Sequence, residues 1–164
     1  MKPMPVTIRN IEIQTCSKAQ LIGKRYDGAP NWGEWWANDW FAALEKQPRH
    51  PFNEDAFLGA VRIIDGRPER WIGMLFPPDA EAPEGFEKTQ IEDTVFAVVY
   101  LCGKEGSSDF YTMETHEMCL GKLKEMNLIR KENDWCIERY QCPRFTAPDE
   151  AGNVVLDYAI AVQK

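Results

Sequence analysis

One acidic residue, Glu138, lies in a stretch that alternates like a β-strand and is rich in aromatic side chains. In DWCIERYQ (134–141), alternation places Cys136, Glu138 and Tyr140 on one face of the strand and the residues between them on the other. Periodicity alone favours a solvated face on which Glu138 pairs with a surface lysine, because glutamates are almost never fully buried unless paired. Among aromatic rings the same carboxylate would have a raised pKa, and a bound cation would compensate the cost of ionising it.

Aromatic side chains are the second group that could do chemistry. They make up 12% of the chain, with six tryptophans, and they are the usual lining of small-molecule sites. Their faces attract cations by about 0.5–2 kcal/mol each. Trp35, Tyr111 and Tyr140 are the strongest candidates, since each flanks the core stripe of its element or shares a face with Glu138, whereas Trp40 is assigned to the core. The full set of predicted ligand-binding residues is Glu138, Trp32, Trp35, Trp36, Trp71, Tyr100, Phe110, Tyr111, Tyr140, Phe145 and Tyr158.

Other kinds of site are not indicated. The five cysteines include no C-x-x-C pair, so neither a zinc site nor a disulfide framework is expected, and no metal or cofactor is predicted. The chain has no G-x-S-x-G motif and no glycine-rich loop for phosphate. Of the two histidines, His50 is predicted to be an exposed loop residue and His116 to have a structural role in a helix.

Charge and hydropathy argue against two classes of partner. The net charge is −7 and the lysines and arginines are dispersed, which disfavours direct binding of nucleic acid. No run of 18 apolar residues occurs, so a membrane span is not expected. Residues 1–5 lack the apolar segment of a secretory signal, from which we predict a cytoplasmic location.

An internal repeat organises the chain. Residues 11–28 (IEIQTCSKAQLIGKRYDG) align without a gap on residues 86–103 (FEKTQIEDTVFAVVYLCG), at an offset of 75. Each stretch is strand-like, has a polar kink near its middle and ends at a glycine that begins a loop. The predicted repeats span 6–76 and 86–163, and a linker rich in proline and acid, 77–85, joins them within a single domain (1–164).

Each repeat is predicted to continue with one helix and two strands. The first helix follows an Asn31 cap and ends at about Glu45 or Lys46, and the second runs from a cap at Ser108 or Asp109 to about Met126. The predicted fold class is therefore α+β, a tandem pseudo-symmetric βαββ repeat of two three-stranded antiparallel sheets, each with a helix, and a pocket between the halves. The predicted closing strands are about 57–64 and 70–76 in the first half, and 134–141 and 153–162 in the second.

This plan resembles the GyrI-like family, also known as the AraC-type effector-binding (multidrug-binding) domain. The resemblance covers residues 6–163, and its most specific piece is the E-x-Y sequence Glu138-Arg139-Tyr140, followed by a loop and a final strand about 25 residues from the chain end. It implies that Glu138 faces the ligand, and that the ligand is a small lipophilic cation of the kind that multidrug-binding relatives take.

The resemblance leaves three functions open. The leading one is a stand-alone binding module that acts as a sensor or sequestering protein. The second is a hydrolase of electrophilic, cyclopropane-type compounds, in which Glu138, Tyr140 and Tyr111 would be the catalytic residues. The third is an effector-sensing co-regulator of a DNA-binding partner, since 164 residues leave no room for a helix-turn-helix domain beside the repeat.

Overall fold

The computed structural model describes residues 5–163. The prediction about secretion rests on residues 1–5, most of which lie outside the described residues. Among the described residues, no helix is long and apolar enough to cross a membrane. The helices are α1 (Trp32–Ala37), α2 (Trp40–Leu44) and α3 (Met113–Glu125). The strands are β1 (Thr7–Cys16), β2 (Ala19–Tyr26), β3 (Ala56–Ile64), β4 (Arg67–Phe76), β5 (Glu87–Ile91), β6 (Thr94–Lys104), β7 (Cys136–Gln141) and β8 (Asn153–Val162).

All eight strands belong to one antiparallel sheet, in the order β1-β6-β8-β7-β3-β4-β2-β5. The prediction of an antiparallel α+β fold is confirmed, but the strands do not form two separate three-stranded sheets. The reason is that β3 pairs with β7, which gives the inner edge of each half a partner and avoids an exposed edge there. The strand order is unchanged when β1–β4 are exchanged with β5–β8 and the sheet is read from its other end, which is compatible with two similar halves.

The two polar kinks of the predicted repeat each separate two strands. The kinks lie side by side, since the backbone N–H of Lys18 donates to Asp93 Oδ1 at 2.7 Å. On either side of them, β1 pairs with β6 and β2 pairs with β5 in one continuous register. Because β1 continues into β2 and β5 continues into β6, the two end strands of the sheet, β1 and β5, belong to one pair of bent chains that run side by side. The sheet is therefore strongly curved.

Tight turns follow from local sequence. The Asp65-Gly66 pair joins β3 to β4 with both residues in the left-handed region, at φ 51° and 76°. This is the conformation that a two-residue hairpin requires, and Asp-Gly is among the sequences that adopt it most readily.

The helices all pack on one face of the sheet. Helices α1 and α2 cover β2 and β4, where Trp35, Phe41 and Leu44 meet Ile22 and Met74. On the same face, α3 covers β6 and β8 through its own buried side chains. The opposite face of the sheet encloses a second apolar core of its own, to which β2, β3, β6 and β7 contribute. Between the two groups of helices, the middle strands β3 and β7 are left partly uncovered.

The first helix differs from its prediction. Its N-terminus is confirmed, because the Asn31 side chain accepts a hydrogen bond from the backbone N–H of Glu34 at 3.2 Å. The helix does not continue to Lys46. It breaks at Asp39, whose backbone is left-handed at φ 53°, into the short helices α1 and α2. The break turns Trp40 against Trp35 and Phe86, in keeping with its assignment to the core.

The second helix begins later than predicted. A 3₁₀ turn (Ser108–Tyr111) precedes it, and Thr112 caps α3 by accepting from the backbone N–H of Thr115. Cys119 and Leu123 form its buried stripe, whereas Met126 is 41% exposed. The expected position of His50 is also wrong. It is buried, accepts from the backbone N–H of Phe52 and lies 2.9 Å from Ser17 Oγ, and its burial lowers its pKa.

Candidate functional site

A cavity of about 640 Å³ opens on the helix-bearing face of the sheet, over β3 and β7 and between the two groups of helices. This volume is in the range of sites for drug-sized ligands. Within the described part of the chain, no three His, Cys, Asp or Glu side chains are grouped so that they could hold a metal ion. The cavity is lined by Pro30, Trp32, Trp36, Phe57, Gly59, Ala60, Val61, Arg70, Trp71, Tyr111, Cys136, Glu138, Tyr140, Phe145, Thr146 and Tyr158.

Most of the predicted ligand-binding residues line this one cavity. They come from α1, the 3₁₀ turn before α3, two strands and the loop after β7, so the fold brings together side chains that are more than 100 positions apart in the chain. The members whose side chains face it are Trp32, Trp36, Tyr111, Glu138, Tyr140, Phe145 and Tyr158. Trp71 borders the cavity, but its side chain lies in the core on the opposite face of the sheet, because Trp71 pairs with Ala60 and shares that face with it. As strand alternation predicted, Cys136, Glu138 and Tyr140 share the cavity face of β7.

Trp35 does not line the cavity and is a core residue. It is completely buried, and its indole Nε1 donates to Tyr26 Oη at 3.0 Å. Its ring packs against Trp40 and Phe41. The cause is the helical rotation of about 100° per residue, which turns Trp35 toward the sheet and leaves Trp36, 59% exposed, at the cavity.

Phe110 and Tyr100 also lie outside the cavity. Phe110 is buried behind Tyr111 and closes the space above Gly103, where an added Cβ would meet its ring at 3.0 Å. Tyr100 belongs to the opposite face of the sheet, where its hydroxyl donates to Glu12 Oε1 at 2.7 Å.

Glu138 occupies the centre of the cavity floor. Its neighbours on the adjacent strands are Gly59 of β3 and Tyr158 of β8, neither of which carries a charge. Burial raises the pKa of Glu138, and a hydrogen bond from the hydroxyl of Tyr140 to Oε1, at 3.2 Å, acts in the opposite direction. No Lys, Arg or His within residues 5–163 forms an ion pair with it. Glu138 is thus a half-buried carboxylate that, among the described residues, has no counter-ion.

Space for this carboxylate depends on Gly59. A Cβ at that position would lie 2.9 Å from Glu138 Oε1 and 3.2 Å from Trp32 Cζ2. Both distances are shorter than ordinary van der Waals contacts, so any larger residue would displace the carboxylate or the indole. A glycine opposite the acid therefore holds open the volume in which the carboxylate and the Trp32 ring meet.

A short chain of hydroxyl groups connects the carboxylate to the cavity mouth. Tyr140 Oη lies 3.2 Å from both Glu138 Oε1 and Tyr111 Oη. Because a phenol has one proton, Tyr140 donates to the carboxylate and accepts from Tyr111. Burial raises the pKa of both phenols, so they stay neutral donors at physiological pH. On the other side of the floor, Tyr158 Oη is engaged 2.7 Å from His116 Nδ1.

The aromatic rings form a continuous wall. Trp32 meets the edge of Tyr140 with ring centres 5.2 Å apart, and Tyr140 meets Phe145 at 4.8 Å. Trp36 stands against Phe57 at 5.4 Å near solvent. The wall offers ring faces and edges on several sides, as a site for a flat apolar ligand needs.

Sequence reasoning missed part of the lining. Phe57, Gly59 and Val61 follow the alternation of the predicted strand 57–64, and this signal would have placed them on one face, but nothing in the sequence indicated that β3 lies beside β7. Arg70 gave no signal at all, since an arginine next to a hairpin is usually a solvated residue. The other unpredicted members are Pro30, Ala60, Cys136 and Thr146.

No protein-family model matches the chain, and no curated protein matches it in sequence. Solved structures do resemble it. A protein from Staphylococcus aureus MU50 assigned to bacterial transcription regulation has a TM-score of 0.58 at 13% identity, over 94% of this chain and 99% of that one. The protein SAV2435, solved bound to tetraphenylphosphonium, has a TM-score of 0.63 at 14% identity, over 94% of both chains.

A third structure is that of EcmrR, solved in a complex with DNA. Its TM-score is 0.58 at 10% identity, and the likeness covers 99% of this chain and 59% of that one. At these identities the likenesses establish the fold alone. The fold is one that occurs in a protein assigned to transcription regulation, in a protein solved with tetraphenylphosphonium and in part of a protein solved with DNA.

Proposed function

We propose that this chain is a small-molecule binding module for lipophilic cations of the GyrI-like type, and that Glu138 recognises the charge. The observation that carries the proposal is the isolated carboxylate: Glu138 faces an aromatic cavity of about 640 Å³ and has no cationic partner among the described residues. A cation in the cavity supplies that partner.

Electrostatics explain why such a site selects by charge without a close fit of shape. Desolvation makes the ionised carboxylate costly in the empty cavity, and the ring faces of Trp32 and Tyr140 favour a cation further. A neutral ligand gains the apolar contacts but leaves the cost of ionisation in place. The difference between the binding free energies of the cationic and the neutral ligand is the selectivity of the site.

The structural neighbours support this interpretation. Tetraphenylphosphonium, with which SAV2435 was solved, is a lipophilic cation, and SAV2435 shares the fold over almost the whole chain. The neighbours connected with transcription regulation and with DNA favour a sensing role. We therefore propose that the module reports or sequesters such compounds, either alone or beside a DNA-binding partner, and that it works in the cytoplasm.

The direct test uses two probes of the same shape and opposite charge, tetraphenylphosphonium and tetraphenylborate. We expect wild type to prefer the cation, and Glu138→Gln to weaken the cation by more than tenfold, or about 1.4 kcal/mol, with little loss for the anion. Isothermal titration calorimetry measures both. The control is Glu132→Gln, which makes the same change in net charge at an exposed position. Equal cation affinity in wild type and Glu138→Gln would refute the proposal.

The same titration has an expected pH dependence. Because the pKa of Glu138 is raised by burial, affinity for the cation should fall as the pH drops through that pKa, since protonation removes the charge partner. In Glu138→Gln this dependence should disappear, while Glu132→Gln should keep it.

A second function, hydrolysis of an electrophilic small molecule, is favoured by the hydroxyl chain from Tyr111 through Tyr140 to Glu138. A carboxylate with a raised pKa is a suitable general base, and the phenols are placed to pass a proton to it. Turnover of a cyclopropane-containing alkylating agent by wild type, absent in Glu138→Gln and reduced in Tyr140→Phe, would establish an enzyme. If wild type binds the compound but releases no product over many hours, the hydrolase is refuted and the binding module remains.

A further inference from the structure

The cavity contains one basic side chain as well as one acidic one. Arg70, on β4, is half-buried and lines the same cavity as Glu138. The arginines closest to it in the sheet have partners, since Arg62 binds Glu69 at 2.8 Å and Arg25 lies 3.9 Å from Asp27. Within residues 5–163, Arg70 has no acidic side chain within 4.0 Å. Its guanidinium therefore has five N–H donors and no charged acceptor.

The register of the sheet places the two charges. Arg70 pairs with Val61 across β4 and β3, and Gly59 pairs with Glu138 across β3 and β7. Residues directly opposite in antiparallel strands share a face, and so do residues two apart in one strand. Arg70 and Glu138 are consequently on the same face, two strand spacings and two residues apart. That is about 12 Å between their Cα atoms, and between them lie Gly59, which has no side chain, and the apolar side chain of Val61.

The remaining contacts show what is left for Arg70 to bind. Its other backbone neighbour is Tyr26, whose hydroxyl is engaged with Glu34 Oε1 at 2.5 Å. The other side chains that line the cavity are uncharged. A guanidinium in this position repels a ligand that is only cationic. It contributes favourably to a ligand that also carries an acceptor group, above all a carboxylate, which the guanidinium can bind in a bidentate manner.

We propose that the ligand of this cavity is amphoteric: a flat apolar body with a cationic group that binds Glu138 and a carboxylate that binds Arg70. The inference rests on the proposed function, because it assigns the second charged contact of the same site. It adds a specificity determinant at the end of the cavity on β4, and it predicts that an amphoteric ligand binds more tightly than a simple lipophilic cation such as tetraphenylphosphonium.

Two dyes that differ in one methyl group test the proposal. Rhodamine 110 carries a cationic xanthene and a free carboxylate, and rhodamine 123 is its methyl ester, with the cation unchanged and the acid masked. We expect wild type to bind rhodamine 110 at least fivefold more tightly than rhodamine 123, measured by fluorescence anisotropy. Arg70→Gln should weaken rhodamine 110 by tenfold or more and leave rhodamine 123 unchanged or slightly tighter. The control Arg67→Gln removes an exposed arginine from the start of the same strand and should change neither dye.

The outcomes separate this inference from the proposed function. If Glu138→Gln weakens both dyes while Arg70→Gln weakens neither, cation recognition stands and the amphoteric ligand is refuted. If Arg70→Gln tightens both dyes equally, Arg70 acts only as a repulsive charge, and the inference again fails. If Glu138→Gln changes neither dye, the proposed function itself fails. A urea unfolding midpoint for Arg70→Gln within error of wild type ensures that a loss of affinity is not a loss of fold.

Discussion

Two consecutive residues of β7, Glu138 and Arg139, differ in whether the protein supplies a partner of opposite charge. Arg139 is 1% exposed and points to the face of the sheet away from the cavity. Its Nε donates to Asp157 Oδ2 at 2.7 Å, across from it on β8, and its Nη1 donates to the carbonyl of Phe52 at 2.9 Å. Glu138, one position earlier, faces uncharged Gly59 and Tyr158 and receives one hydrogen bond.

The Arg139 side is a closed ionic network. Arg144 binds both oxygens of Asp157 and reaches Glu54, so two guanidinium groups meet two carboxylates. Arg139 Nη2 lies 3.1 Å from Glu54 Oε2, but off the direction of a hydrogen bond, so this contact is an ion pair without one. The network is neutral as a whole, and each of its charges has a partner inside the protein.

The two faces of β7 therefore differ in how far the protein compensates the cost of burying a charge. Desolvating an ion costs several kcal/mol, and on one face of β7 neighbouring side chains offset that cost. On the other face, among residues 5–163, a hydrogen bond from Tyr140 offsets part of the cost and no opposite charge does. A folded chain tolerates such a group when a ligand supplies the missing charge, so the contrast within one dipeptide supports the proposal that the cavity binds a cation.

The largest expected effect comes from breaking the closed network. Asp157→Asn keeps the shape of the side chain but leaves Arg139 and Arg144 with only Glu54 between them. We expect it to lower the free energy of unfolding by about 3–5 kcal/mol, the usual cost of removing one partner of a buried ion pair. Urea denaturation followed by tryptophan fluorescence measures it. Glu125→Gln, which breaks the exposed pair with Lys122, should cost less than about 0.5 kcal/mol. A similar small loss for Asp157→Asn would show that the two faces of β7 do not differ.

The opposite substitution on the cavity face should stabilise the protein. Burial raises the pKa of Glu138 above its ordinary value of 4.5, so the folded state holds this proton more tightly than the unfolded chain. The stability that protonation provides is complete below about pH 4.5 and is lost as the pH rises through the raised pKa. At neutral pH, Glu138→Gln should therefore be more stable than wild type, by about 1.4 kcal/mol for each unit of the shift. Thermal unfolding without ligand at pH 4 to 8 tests this, and a difference that does not grow with pH would contradict it.

A smaller effect is expected at Gly59, which keeps the unpaired carboxylate in place. In Gly59→Ala the added methyl group would push Glu138 Oε1 and the Trp32 ring from their positions. The carboxylate is at the end of a flexible side chain, so we expect a stability loss below about 1 kcal/mol and a several-fold weaker binding of tetraphenylphosphonium. The double variant with Glu138→Gln should bind no more weakly than Glu138→Gln alone, because the contact that Gly59 protects is then gone. Additive losses would mean that Gly59 acts on binding through the Trp32 ring and not through the carboxylate.

Several features could be predicted from the sequence because they depend on neighbours in the chain. The polar kinks, the Asn31 cap, the Asp65-Gly66 turn and the bounds of β8 follow from side-chain preferences and from periodicity. Alternation was enough to put Glu138 and Tyr140 on one face of β7 and Arg139 on the other. The regularity of a strand transmits this information without any knowledge of the fold.

Other features required the tertiary structure. The break at Asp39 depends on how α1 and α2 pack on the sheet, and so does the rotation of α1 that turns Trp35 to the sheet and Trp36 to the cavity. His50 is buried because β4 and the kink at Ser17 surround it, although its local sequence is that of a loop.

The sequence by itself determined the order of the elements and the faces of the strands, since these depend on local preferences and on a period of two. Only the tertiary structure decided that β3 pairs with β7, and with this pairing that Gly59 lies beside Glu138 and Arg70 lies two strands away. The physical reason is that strand pairing between distant segments depends on the total burial and hydrogen bonding of the whole sheet, which no local stretch of sequence specifies.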